Sequence, residues 1–199
     1  MEYFAFFSGL LYLFLEIKQN RLMWIVGVLS AIAFIYVFAQ SRLFAAMGLQ
    51  VYYLAVSVYG FYKWKKDERE AESGAKASTG LKAETEAPLL YRIVTWKVLV
   101  LSAIATLSVF AALLTFLKNM TGDPMPATDA LATSLSIVAT LWLSRSYIHQ
   151  WWIWIAVDAM STLLFLSQGL YLSSLLYVIY TVCAFYGYFH WRSKGERIE

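Results

Sequence analysis

Seven stretches of mostly apolar residues run through this 199-residue chain, at 2–17, 22–40, 44–64, 93–117, 129–144, 149–167 and 170–191. A bilayer core takes about 17–25 such residues per helix, so each stretch reads as a membrane-spanning helix. Composition agrees: 60% of residues are hydrophobic and 15% charged, against about 25% charged in a soluble domain. The mean hydropathy is +0.58. Such a chain lacks the polar residues to cover a water-exposed surface. The first stretch does not read as a cleavable signal, because no Lys or Arg precedes it, Glu2 is acidic and no small-residue cleavage site follows. The expected fold class is therefore an all-α integral membrane protein with seven transmembrane helices. The single Cys183 excludes a disulfide framework and a Cys-based zinc site. His149 and His190 sit far apart at helix ends, so no metal site and no cofactor are expected. A net charge of +3 gives no reason to expect a nucleic-acid partner.

Residues 65–92 break the apolar pattern. From 65 to 88 the segment holds six apolar residues, five of them Ala, and reads as a charged, solvated linker with no chemistry of its own, with a frayed surface helix as the alternative its helical propensity allows. Lys and Arg decide the orientation. One side of the membrane holds Arg42 and Lys118; the other holds Lys18, Arg21, Arg145, the tail residues Arg192, Lys194 and Arg197, and seven more between Lys63 and Arg92. The N-terminus is thus expected outside, with the linker and the C-terminal tail 192–199 in the cytoplasm.

Two segments end alike: residues 59–64 read YGFYKW and 186–191 read YGYFHW. Aligning 20–64 with 147–191 at this offset of 127 matches Trp24 with Trp151, Tyr53 with Tyr180, Tyr59 with Tyr186, Gly60 with Gly187 and Trp64 with Trp191. Apolar residues match by chance in membrane helices; aligned Trp and Gly do so less readily. The expected plan is a 3+1+3 parallel repeat: a first unit at 1–64, a connecting helix at 93–117 and a second unit at 128–191. Parallel repeats of this kind build transporters, with the cargo site near the midplane between the halves.

The sixth stretch contains W-x-x-W-x-x-x-D, at Trp151, Trp154 and Asp158. At about 100° per residue, Trp154 lies about −60° and Asp158 about −20° from Trp151, so the three share one stripe while Trp152 points away. A carboxylate near mid-membrane costs at least about 2.5–3.5 kcal/mol on insertion scales and normally faces a cavity. Two indoles beside it can hold a flat cation. On the third stretch Gln50, Tyr53, Ser57, Gly60 and Trp64 form another stripe, and on the seventh Tyr177, Tyr180, Ala184, Gly187 and Trp191 do the same. Gln50, Tyr53, Tyr177 and Tyr180 are candidates for a polar cavity lining, with interhelical bonding the equal alternative for each. Hydroxyls of the fifth stretch read as bonded to backbone carbonyls, and Glu16, beside Lys18, as a solvated interfacial charge. No hydrolase or phosphate-binding motif is present, so no catalytic residue and no enzyme activity are expected.

The run LQVYYLAVSVYGFYKW at 49–64, the segment SLSIVATLWLSRSYIHQWWIWIAVDAMS, the run QGLYLSSLLY and NRLMW at 20–24 together resemble the Pnu vitamin transporters, over nearly the whole chain outside the linker. The resemblance implies substrate contact at Trp151 and Trp154. Asp158 and Ser57 stand where the nicotinamide riboside branch typically has Asn. It further implies facilitated diffusion trapped by a cytoplasmic vitamin kinase, a bacterial inner membrane and a homotrimer.

Thiamine and nicotinamide riboside both carry a permanently cationic aromatic ring that suits two indoles and a carboxylate. The exchange of Asn for Asp favours thiamine, with nicotinamide riboside as the alternative. A different class of function, a substrate-capturing membrane subunit that needs an energising partner, would use the basic linker for docking.

Overall fold

The computed structural model describes residues 2–40, 44–79, 89–120, 125–167 and 169–198. These form seven helices: α1 (Glu2–Ile17), α2 (Leu22–Gln40), α3 (Phe44–Thr79), α4 (Trp96–Met120), α5 (Pro126–Ser144), α6 (Gln150–Ser167) and α7 (Tyr171–Lys194). Two short strands, β1 (Leu90–Tyr91) and β2 (Glu196–Arg197), pair in parallel. Three helices, α4, α5 and α7, are long and apolar enough to cross a membrane by length and composition, and Leu22–Tyr36 is a shorter apolar run.

The distribution of side chains is that of a membrane protein. Leu99, Leu101, Ile104, Leu107, Leu163, Val182 and Phe189 are exposed, whereas Glu16, Gln150, Asp158, Ser134, Ser144 and Ser174 are buried. Polar groups face inward and apolar groups outward, as expected where the surroundings are hydrocarbon and backbone polar groups must be satisfied within helices. The chain is an all-α, multi-pass membrane protein. α4 packs on α5 and buries none of its residues.

Local chemistry accounts for the helix ends. Pro126 starts α5 at a position where no backbone donor is needed. Asp129 in its first turn meets the positive end of the helix dipole. Asn20 accepts the backbone N–H of Leu22 at 2.9 Å and so caps α2. Arg192 and Lys194 occupy the last turn of α7, where cations are favoured.

The segment after Trp64 takes the helical alternative, and at Asp67 it differs from the expected solvated linker. α3 continues to Thr79. Lys63 pairs with Asp67 at 2.7 Å and Lys66 with Glu70 at 3.5 Å, both one helical turn apart, which supports helix past the apolar span. Asp67 is buried rather than solvated. Its partner across the fold is Arg92, whose Nη1 and Nη2 donate to Asp67 Oδ2 and Oδ1 at 2.7 and 3.0 Å. The rest of the expected linker, 80–88, lies outside the described residues.

Packing between helices α2 and α3 is matched by packing between α6 and α7. A Cβ on Gly60 would stand 2.6 Å from the Trp24 indole, and one on Gly187 2.6 Å from the Trp151 indole. Both glycines therefore let a helix lie directly against a tryptophan. Trp24 meets Trp64 edge-on at 5.1 Å, and Trp151 meets Trp191 edge-on at 5.5 Å. Trp64 and Trp191 touch each other at 6.4 Å, joining four indoles into one layer. Two ties fix the layer. Trp64 Nε1 donates to Leu143 O at 3.3 Å, and Trp191 Nε1 donates to Ile17 O at 2.9 Å.

Candidate functional site

The eight candidate residues occupy different surroundings. Asp158 is 5% exposed and lies within electrostatic reach of Tyr177 and Tyr180 on α7. Tyr177 and Tyr180 are in ring contact at 5.5 Å, and Tyr53 on α3 is coupled to Tyr177. The structure thus brings together Asp158, Tyr53, Tyr177 and Tyr180. Trp154 is half-buried, and its Nε1 is buried without a hydrogen-bond partner. Gln50 lies half-buried on α3.

Two candidates sit in helix packing. Trp151 is wholly buried between Gly187 and Trp191, the same surroundings that Trp24 finds between Gly60 and Trp64. Ser57 is buried against Gly27, whose Cβ would stand 2.7 Å from Ser57 Oγ. Trp152 is 46% exposed and contacts Phe185 and Tyr188.

Glu16 corrects the sequence reading. It is not a solvated interfacial charge: it is 4% exposed and lies within electrostatic reach of Asp158. Asp158 is therefore not alone as a deeply placed ionisable group. The reason is tertiary. The last turn of α1 runs under α7, where Trp191 bonds to Ile17 O, so the residue before Ile17 turns inward while Lys18 stays exposed above the Phe14 ring. Tyr12, one turn earlier, faces the same region and couples to both Glu16 and Tyr53. Gln150 was also missed. It is wholly buried beside Glu16, with its amide turned towards the Glu16 carboxyl. The sequence signal for Glu16 was its place on the Tyr12 stripe; Gln150 had only its position at the start of α6.

Several hydroxyls on α5, α6 and α7 are used locally, while Ser174 on α7 donates across to Thr162 O on α6 at 3.1 Å. Ser136, Thr140, Thr162 and Thr181 each donate to the carbonyl one turn back.

A separate cavity of about 540 Å³ opens beside Trp64, with Lys18, Arg21, Asp67, Glu68 and His190 among its lining. None of the eight candidates lines it. Along α3 the order is Tyr53, Ser57, Trp64, Asp67, so the tryptophan layer stands between this cavity and the Asp158 region. At its edge, burial alone would push the Asp67 carboxyl up, but the hydrogen bonds and charges of Arg92 and Lys63 outweigh it and hold the group below the ordinary carboxylate value. The same bond raises Arg92 above its own ordinary value.

The buried Glu16 and Asp158 thus stand beside tyrosines of α1, α3 and α7 inside an apolar exterior, and comparison with known proteins gives the lineage. The family model described as nicotinamide mononucleotide transporter matches residues 1–193. The chain belongs to this family. Family members similar to it include the nicotinamide riboside transporter PnuC of Escherichia coli (strain K12), 26% identical over 96% of this chain and 85% of that protein. The riboflavin/roseoflavin transporter RibM of Streptomyces davaonensis is 28% identical over 95% of this chain and 83% of its own length. Among solved structures, the crystal structure of the vitamin B3 transporter PnuC aligns with a TM-score of 0.66 and 24% identity, over 94% of this chain and 78% of that one; it shares the fold. These relatives carry the names of nicotinamide riboside and riboflavin transporters, so the lean towards thiamine finds no support among them.

Proposed function

We propose that this family member is a membrane carrier for nicotinamide riboside. The observation that carries the reading is the cluster of buried Asp158 and Glu16 with half-buried Tyr53, Tyr177 and Tyr180, contributed by α1, α3, α6 and α7 in a chain whose relatives are transporters. A permanently cationic pyridinium ring supplies the charge that buried carboxylates need, and the Trp154 indole offers a face for it. Trp151, Gln50 and Ser57 complete the proposed site, Trp151 and Ser57 by shaping its walls.

The reading includes two three-helix halves around α4. Its support is the recurrence of contacts at the 127-residue offset: Trp24 on Gly60 and Trp151 on Gly187, then Trp64 and Trp191 against each other. Halves that pack as units around a midplane site can rock to alternate access. The Lys/Arg asymmetry supports an outside N-terminus, a cytoplasmic 65–92 segment and a cytoplasmic tail in a bacterial inner membrane. Uptake then runs by facilitated diffusion, made one-way by a cytoplasmic kinase, and the carrier assembles as a homo-oligomer.

The test is uptake into liposomes that hold the purified protein, with nicotinamide riboside kinase and ATP trapped inside. Saturable accumulation of nicotinamide riboside, above that of riboflavin and thiamine, is expected. Accumulation of thiamine in its place would restore the other cargo. An absence of uptake that is relieved only by an added partner protein would favour the capture-subunit reading.

A further inference from the structure

The tryptophan layer crosses between the two proposed halves, and its contacts are of two kinds. Within each half they are tight. Trp24 fills the space over Gly60, and Trp151 fills the space over Gly187, so that a methyl on either glycine would collide with a ring. Between the halves the contact is looser. Trp64 of α3 and Trp191 of α7 meet edge-on at 6.4 Å, against 5.1 Å for Trp24 with Trp64 and 5.5 Å for Trp151 with Trp191. Each of the two indoles also reaches into the other half. Trp64 Nε1 donates to Leu143 O near the end of α5, and Trp191 Nε1 donates to Ile17 O at the end of α1. The ties are reciprocal, because α1 opens the first half and α5 the second. Gln19 and Ser146 join the halves at the same end, by a bond of 3.2 Å.

This seam separates two places. On one side, at the end assigned to the cytoplasm, lies the cavity of about 540 Å³ that Trp64 lines together with Lys18, Arg21, Asp67 and Glu68. On the other side are the tyrosines of the proposed cargo site. Tyr53 and Tyr180 each stand eleven residues before Trp64 and Trp191, about 16 Å deeper at about 1.5 Å per residue. Trp64 is 4% exposed and Trp191 1%, so the pair is closed. We propose that Trp64 and Trp191 form the cytoplasmic gate of the carrier, and that the cavity beside Trp64 is the vestibule into which the cationic cargo leaves. Opening parts one ring contact and two hydrogen bonds. A charged lining keeps the vestibule wet, so water takes the place of each lost partner, and such an exchange has a small net cost. That suits a barrier which must open on every cycle. Trp24 on Gly60 and Trp151 on Gly187 move with their own halves, as rocking requires. The gate needs no coupled ion and so fits facilitated diffusion. The inference rests on the proposed carrier reading and goes beyond it by naming the residues that part.

Two measurements on the full-length protein, with Cys183→Ser as background, test the gate. In the first, Gln19→Cys and Ser146→Cys are joined across the seam by a short, reducible bis-thiosulfonate before reconstitution, and uptake of nicotinamide riboside is followed in the kinase-loaded liposomes. Bridging should abolish uptake and reduction should restore it, while the bridged protein still binds nicotinamide riboside in detergent. Uptake that survives complete bridging overturns the inference. Loss of binding together with uptake overturns it too, since the site and not its exit would be blocked. In the second, Tyr53→Cys is labelled with a small impermeant thiol reagent in inside-out vesicles, where the reagent meets the cytoplasmic face. Labelling should be slow with the gate intact and faster in Trp64→Ala and Trp191→Ala. Trp64→Phe keeps a ring and loses the tie to Leu143, and it should give an intermediate rate. Trp152→Ala should leave the rate unchanged. Equal rates across the set overturn the inference, and so does equal acceleration by Trp152→Ala, which would mark general loosening. If the alanine variants fail to fold, Trp64→Phe and the bridge decide. Labelling needs no cargo: a wild-type protein that takes up no nicotinamide riboside overturns the cargo reading, and the labelling rates then decide the gate alone.

Discussion

Gln19 and Ser146 stand 127 residues apart, hold the same left-handed backbone (φ 51° and 57°), and touch: Gln19 Nε2 donates to Ser146 Oγ at 3.2 Å. Each follows the end of a helix, α1 and α5, at corresponding places. A left-handed residue is strained unless it is glycine, so both turns are held by bonds around them. Gln19 also exchanges two hydrogen bonds with Leu90, each of 2.7 Å, and Ser146 O accepts from Arg92 N at 2.8 Å. The segment before α4 is thereby laced to both turns. Gln19→Ala should cost about 1–3 kcal/mol, the scale of hydrogen bonds lost with buried partners left behind. Ser146→Gly should fall within about 1 kcal/mol of wild type, because relief of the backbone offsets the lost hydroxyl. Thermal unfolding in detergent measures both, and equal losses would contradict the role given to Gln19.

The paired glycines offer a second test. Gly60→Ala and Gly187→Ala each push a methyl to 2.6 Å from an indole, an overpacking worth about 1–3 kcal/mol. The two should lower the melting temperature by similar amounts. Trp24→Ala and Trp151→Ala should also resemble each other in stability loss, because their surroundings match.

Binding should separate Trp154 from Trp152. Trp154→Ala should weaken nicotinamide riboside binding by about 0.5–2 kcal/mol through lost cation–π attraction, roughly two- to thirtyfold. Trp152 is 46% exposed on the far side of α6, and Trp152→Ala should leave affinity near wild type. Equal effects in the calorimeter would remove Trp154 from the site.

The Asp67–Arg92 pair predicts a pH response. The folded Asp67 titrates below its unfolded value, so its stabilisation is complete above about pH 4 and is lost as pH falls through the folded value. Melting temperature should therefore drop on acidification below that point, and Asp67→Asn should flatten this part of the profile. Arg92→Met leaves a buried carboxylate without its main partner. The cost should approach the roughly 3–5 kcal/mol of buried pairs, reduced because Arg92 keeps 14% side-chain exposure.

Orientation can be read at Ser73, which is exposed on the C-terminal part of α3 and donates back to Arg69 O at 2.8 Å. With Cys183 replaced by Ser, a cysteine at position 73 should resist an impermeant thiol reagent in intact cells and react once the cells are opened. Ready labelling in intact cells would reverse the assigned topology.

Sequence alone carried the helices, the membrane environment and the lineage, because hydropathy and the 3.6-residue period are local properties of each stretch. It also carried the correspondence of Trp24 with Trp151 and Gly60 with Gly187, since unusual residues at one fixed offset stand out against an apolar background. Asp158 on α6 and the tyrosines on α7 were each legible on a stripe of their own helix. What a stripe faces is not local. Glu16 sits two residues from Lys18 and looked solvated; only the passage of α1 beneath Trp191 buries it near Asp158. Trp151 shares its stripe with Asp158, yet the absence of a side chain on Gly187 draws its ring into packing. Gln150 and Asp67 gained their surroundings in the same way, from helices distant in sequence, because burial and pairing are decided by which faces meet.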